Sequence, residues 1–197
     1  MAAHPIQSSE ESGDLVLPLL RLDNQSLAHA LQAIGIPVTF CLDAEGFLED
    51  VRIEAGGLRC KPDADPANIL HEAGHLAILP PVLRSRANDD LGEIVEALEE
   101  LYEAKANDPE WIDSPLMQAT LQISDPEATA WAFAFGTACG YSPDQIIQDD
   151  QYDGEGDGVR FMLVQNQYLG VHGLRAAGFI DRVSQYPHLK MWTQDAA

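Results

Sequence analysis

His71 and His75 stand four residues apart in the run His71-Glu72-Ala73-Gly74-His75. On a helix that spacing puts both imidazoles on one face, one turn apart, as two ligands of a single tetrahedral zinc require. Glu72 lies beside that face, where its carboxylate can take a proton from a water whose pKa the metal lowers towards roughly 7. The chemistry implied is attack of activated water on a polarised carbonyl. With six histidines in 197 residues, chance supplies roughly 0.01 copies of this pattern. Two incidental histidines on an ordinary helix are the competing reading.

The flanking residues supply the helix. Asp65-Pro66 gives an N-cap followed by proline at the first helical position, and Pro80-Pro81 stops the helix, so it is expected over 66–79. Ile69, Leu70, Ala73, Leu76 and Ala77 are available to pack its remaining surface. Upstream, helical spacing over 26–34 precedes two short apolar runs, 36–42 and 47–53. These are separated by the turn-like Asp43-Ala44-Glu45-Gly46 and predict a β-hairpin that 57–61 extends. Downstream, residues 90–105 form an amphipathic helix with Leu91, Ile94, Val95, Leu98, Leu101 and Tyr102 on one stripe and glutamates away from it. Ser114-Pro115, Asp125-Pro126 and Ser142-Pro143 open three more helices, a longer one is expected over 159–177, and the aromatic tail over 184–197 docks on the core.

The 71–75 run resembles the HExxH motif of zincin metallopeptidases, in the HEAGH variant frequent in membrane-anchored AAA proteases. The chain lacks the phosphate loop and membrane anchor of those proteases. The extended metzincin pattern would place glycine and histidine where Ile78 and Pro81 stand, so the third ligand must come from elsewhere. Glu127 is the candidate: it opens a small-residue helix able to pack against the motif helix, and it would complete a His₂Glu site. The segment around it, Glu127-Ala128-Thr129-Ala130-Trp131-Ala132-Phe133-Ala134, resembles the ExxA-x-x-FA helix of the ImmA/IrrE group of intracellular zincins, which implies the same ligand. Acidic residues also suit a first helical turn without any metal, and Asp125 is expected to be the N-cap. Tyr168 and His172, at i and i+4, are candidates for stabilising an oxyanion, with a hydrogen-bonded core role as the plain alternative.

Composition narrows the function classes. Thirty-two acidic residues against eleven basic give a net charge of −21 and a pI near 4.3, which excludes ordinary nucleic-acid binding because no basic stripe is present to displace counterions. Cys41, Cys60 and Cys139 form no paired CxxC spacing and read as reduced thiols. Neither a signal peptide nor eighteen successive apolar residues occur, so a cytoplasmic protein with no membrane contact is expected. The run Asp153-Gly154-Glu155-Gly156-Asp157-Gly158 resembles half of a calcium loop, yet Val164 stands at the twelfth position, so a flexible acidic loop bordering the cleft is expected.

Residues 1–13 read as a flexible tail and 14–197 as a single domain. The fold expected is α+β: helix-rich, zincin-like, with a small antiparallel sheet preceding the motif helix. The function expected is zinc-dependent hydrolysis of a peptide or protein substrate, aligned along the hairpin edge by main-chain hydrogen bonds. The alternative is a regulatory or protein-interaction module that keeps the architecture with a structural or vestigial metal. An open coordination position beside Glu72 separates the two, since a side chain such as His172 filling it would make the site structural.

Overall fold

The computed structural model describes residues 23–89 and 91–197, so the tail expected over 1–13 lies outside the described residues. Helix α1 (Asn24–Ala33) is capped by Asp23, whose carboxylate accepts from Ser26 N at 2.7 Å. Gly35, at φ 91°, lets Ile36 N return to Leu31 O and ends the helix.

Three short strands follow, β1 (Val38–Phe40), β2 (Val51–Glu54) and β3 (Gly57–Cys60), in the spatial order β1-β3-β2. β3 pairs parallel with β1 and antiparallel with β2. The sheet is therefore mixed rather than antiparallel, and the hairpin is β2–β3, not the two runs flanking Asp43-Ala44-Glu45-Gly46. The physical reason is the turn: Ala55 and Gly56 both have positive φ, 49° and 76°, the two-residue geometry whose twist suits a tight hairpin. The longer 43–50 loop instead carries the chain from one edge of the sheet to the other.

Eight α-helices follow among the described residues, besides three single 3-10 turns: α2 (Pro66–Ile78), α3 (Pro81–Arg84), α4 (Leu91–Lys105), α5 (Pro115–Thr120), α6 (Asp125–Cys139), α7 (Pro143–Ile146), α8 (Gly156–Val164) and α9 (Leu169–Ala176). The chain is a helix-rich mixture of α and β structure with its small sheet ahead of α2. The single helix expected over 159–177 is two helices, broken at 165–168 where Asn166 adopts φ 58°.

α6 is buried on nearly every side, from Glu127 through Gly136, and lies between α2 and α9. Against α2 the approach is close enough to require glycine: a Cβ on Gly74 would sit 2.5 Å from Ala128 O. Because the obstacle is helix backbone and not a movable side chain, Gly74→Ala is expected to cost more than about 3 kcal/mol, above the usual range for overpacking. Denaturant unfolding of metal-free protein measures it.

The far end of α2 is held by Arg84. Its guanidinium donates to Leu76 O and Leu79 O, both at 2.8 Å, and to Gln194 O at 2.6 Å, so it satisfies carbonyls at the helix C-terminus and ties down the C-terminal tail together. Trp131 Nε1 donates to Trp192 O and Gln194 N to Ala77 O, both at 2.8 Å, which fixes the tail on the back of α2 and α6 as expected. Arg84→Met is expected to lose about 3 kcal/mol of stability through these orphaned carbonyls, as thermal unfolding would show.

Candidate metal centre

The contact of Gly74 with Ala128 determines what stands above it. On α2, His71 lies three residues before Gly74 and His75 one after. On α6, Asp125 lies three residues before Ala128, so close packing of the two backbones brings the three side chains together one turn away. His71 Nε2 and His75 Nε2 are 3.2 Å apart. Asp125 Oδ1 is 3.1 Å from His75 Nε2 and 3.7 Å from His71 Nε2. Nitrogen and oxygen ligands about 2.0–2.1 Å from a tetrahedral zinc lie roughly 3.3 Å from one another, so these separations are those of three corners of one coordination tetrahedron. Among the described residues, no other group of His, Cys, Asp and Glu side chains converges in this way.

The structure thus brings Asp125, and not Glu127, to the two histidines. Two residues along a helix is a rotation of about 200°, and Glu127 points away from the histidines towards α9. There it is 5% exposed, accepts a hydrogen bond from Ser124 Oγ at 2.5 Å, and rests against Gly173, where a Cβ would be 2.0 Å from Glu127 Oε1. The N-cap is Ser124, one residue before the one expected, so Asp125 occupies the first helical position with its side chain free to meet the histidines.

Electrostatics at the two carboxylates run in opposite directions. The His71 and His75 rings hold the Asp125 carboxyl far below the usual carboxylate range, so it is ionised and competent as a ligand at any physiological pH. Glu72 is only 6% exposed. Burial pushes its carboxyl up to about 7, against the pull of His71 and with Asp89 and Asp125 adding to the rise. A carboxylate poised near neutrality beside a metal site has the properties of a general base.

These side chains open into a cleft of about 520 Å³, within the size range of small-molecule and short-peptide sites. Tyr168 lines it, half-buried, at the N-terminus of α9. His172 does not: it is exposed, because α9 turns Gly170, Gly173 and Leu174 inward. Tyr152 lines the same wall, with its hydroxyl 3.2 Å from Thr129 Oγ1, one turn beyond Asp125. Burial pushes the Tyr152 phenol up to about 12 and raises that of Tyr168, so both stay protonated hydrogen-bond donors.

The loop bearing Tyr152 is fastened to α2 by a matched pair of clasps, Gln148 Nε2 to Asp65 Oδ2 at 2.9 Å and Gln151 Nε2 to Asn68 Oδ1 at 2.5 Å. The sequence marked the following run, 153–158, as an acidic loop, whereas Gly156–Gly158 open α8; it held no sign of the clasps, which join residues 83 positions apart. The acidic residues are used locally: Arg160 pairs with Asp149 at 2.9 Å and with Asp157. The three cysteines are free thiols, and burial raises those of Cys60 and Cys139 to about 12 and about 11. No helix among the described residues is long and apolar enough to cross a membrane.

No family model, curated protein or solved structure matches the chain, which leaves the geometry of the site to define its chemistry. His71, His75 and Asp125 are a group that could hold a metal ion, and they line the cleft together with buried Glu72.

Proposed function

We propose that this protein is a zinc-dependent hydrolase of the zincin type that cleaves peptide bonds. The observation that carries the proposal is the convergence of His71, His75 and Asp125 at tetrahedral spacing, with buried Glu72 beside them and no fourth protein ligand among the described residues. Zinc held there would supply Lewis-acid polarisation of the scissile carbonyl and lower the pKa of the attacking water.

The residues divide the remaining work. Glu72, in the cleft wall beside the two histidines, would accept the proton of the water as it attacks and return it to the leaving amine, the two-way transfer of a positioned carboxylate. Tyr168 and Tyr152 face the cleft as protonated phenols and are placed to donate to the oxygen that gains charge. Asp65, Asn68 and Thr129 act through Tyr152, by holding its loop and hydroxyl.

Zinc-reconstituted protein, incubated with a pooled library of unstructured peptides and read by mass spectrometry, is expected to cleave peptide bonds and to stop when a chelator removes the metal. One zinc per chain with no cleavage anywhere in the library would sink the hydrolase and leave a zinc-bearing interaction module in its place.

A further inference from the structure

The floor of the cleft beside the metal-binding side chains is apolar. Ile53, Leu79, Ala87 and Ile94 are each buried, while Leu48 and Ile123 close its sides. Phe47, 90% exposed, stands at the mouth. Among the described residues, the charged groups that line the cleft are Glu72, Asp89 and Asp125 beside the two histidines, with no lysine or arginine.

β2 is the sheet edge on this side, and its outer face is closed by the chain itself. Leu58 N donates to Pro37 O and Cys60 O accepts from Cys41 N, so positions 58 and 60 of β3 face β1. The alternate positions pair with β2, as the 2.9 Å bond from Lys61 N to Asp50 O shows, and Val51 and Ile53 therefore turn their main-chain groups outward. Ile53 N donates to Asp89 Oδ1 at 2.7 Å, and Ile53 O accepts from Asp89 N at 3.2 Å. Val51 N donates to Leu48 O at 3.4 Å, and Gly46 lies so close over Val51 O that a Cβ would sit 2.1 Å from it. Beyond the strand, Ala55 N is taken by Asn88 Oδ1 and Gly56 N by Ala87 O. The alignment of a peptide along the hairpin edge, expected from the sequence, has no open main-chain partner to use.

We infer that the cleft takes its substrate by one bulky uncharged side chain, inserted among Leu48, Ile53, Leu79, Ile94 and Ile123, and not by strand addition to β2. The identity of the occupant as a peptide rests on the hydrolase proposal; the mode of recognition rests on the sealed edge and the lining. An acidic side chain inserted there would leave water for an apolar lining with Glu72 and Asp89 nearby, and is rejected.

Binding is tested by fluorescence anisotropy on the full chain carrying Glu72→Gln, loaded with zinc, so that no probe is consumed. The probes are labelled hexapeptides of alanine and serine with one variable residue. Leu and Phe are expected to bind at least about tenfold tighter than Ala, as filling an apolar pocket with several carbons requires, with Glu weakest. N-methylation of the amides on either side of the variable residue is expected to change affinity by less than about threefold, because no ladder bond is lost. Ile123→Trp, at the half-buried side of the cleft, is expected to erase the preference for Leu while one zinc per chain remains, and Ile94→Ala to shift it towards Phe. Indifference to the variable residue overturns the inference. So does a loss of about tenfold or more on N-methylation, or a gain of that size when Asp89→Ala unseals β2. Cleavage by wild-type protein is scored separately: no cleavage with the binding pattern intact removes the hydrolase and leaves the mode of recognition standing.

Discussion

Asp125→Ala is expected to lower zinc affinity by more than about 100-fold, whereas Glu127→Ala leaves it within about threefold; outer-shell changes alone reach about 10- to 100-fold, and a lost ligand exceeds them. The contrast is sharp because the residues are two positions apart on one helix, both acidic and both in its first turn. Asp125 is within 3.1 Å of a histidine nitrogen, while Glu127 is engaged by Ser124 on the opposite side. Loss of Glu127 should appear as reduced stability, since its buried carboxylate fills space against Gly173. Loss of Asp125, whose side chain is 78% exposed, should leave the fold intact and empty the site. Competition titration against a chromophoric chelator reads both variants, and a Glu127→Ala protein that fails to hold zinc while remaining folded would reverse the assignment.

The two histidines, the glutamate between them and the capped helix that carries them were legible because each depends on residues within one segment. The choice between Asp125 and Glu127 was not, because it depends on which face of α6 meets α2. One signal was present: Asp125, Ala128, Thr129 and Ala132 fall on one i, i+3, i+4, i+7 stripe, the small-residue face that α2 needs, whereas Glu127 lies on the stripe of the large Trp131. The hairpin failed for a similar reason. Asp43-Ala44-Glu45-Gly46 has turn composition, but strand pairing was decided by Ala55-Gly56, where an alanine at φ 49° gives no compositional warning. The break between α8 and α9 hinges on a single left-handed asparagine, which separates Tyr168 from the helical turn that was to align it with His172. The seal over β2, made by residues 36 positions away from Ile53, lay beyond any local pattern.

Glu72→Gln is expected to reduce hydrolysis by about 10²–10⁴-fold, the range that a positioned general base supplies, while retaining one zinc per chain, and to make the metal-free protein more stable in alkaline solution. Both effects come from the same burial. A carboxyl raised from 4.5 to about 7 on folding binds its proton more tightly in the folded state than in the unfolded one. Below pH 4.5 it is protonated in both states and costs nothing. As pH rises towards 7 the unfolded chain ionises freely while the buried group resists, so the penalty grows, and above 7 it is complete. Stability of metal-free protein should therefore fall across that window by an amount on the order of 2 kcal/mol attributable to Glu72, and glutamine, nearly isosteric and uncharged, should abolish that part of the slope. A cation held by His71, His75 and Asp125 would favour the charged form, so the comparison belongs to chelator-treated protein, by urea unfolding at pH 5 and pH 8. Equal slopes for the two proteins would mean that Glu72 is hydrated in solution and that burial does not raise its carboxyl.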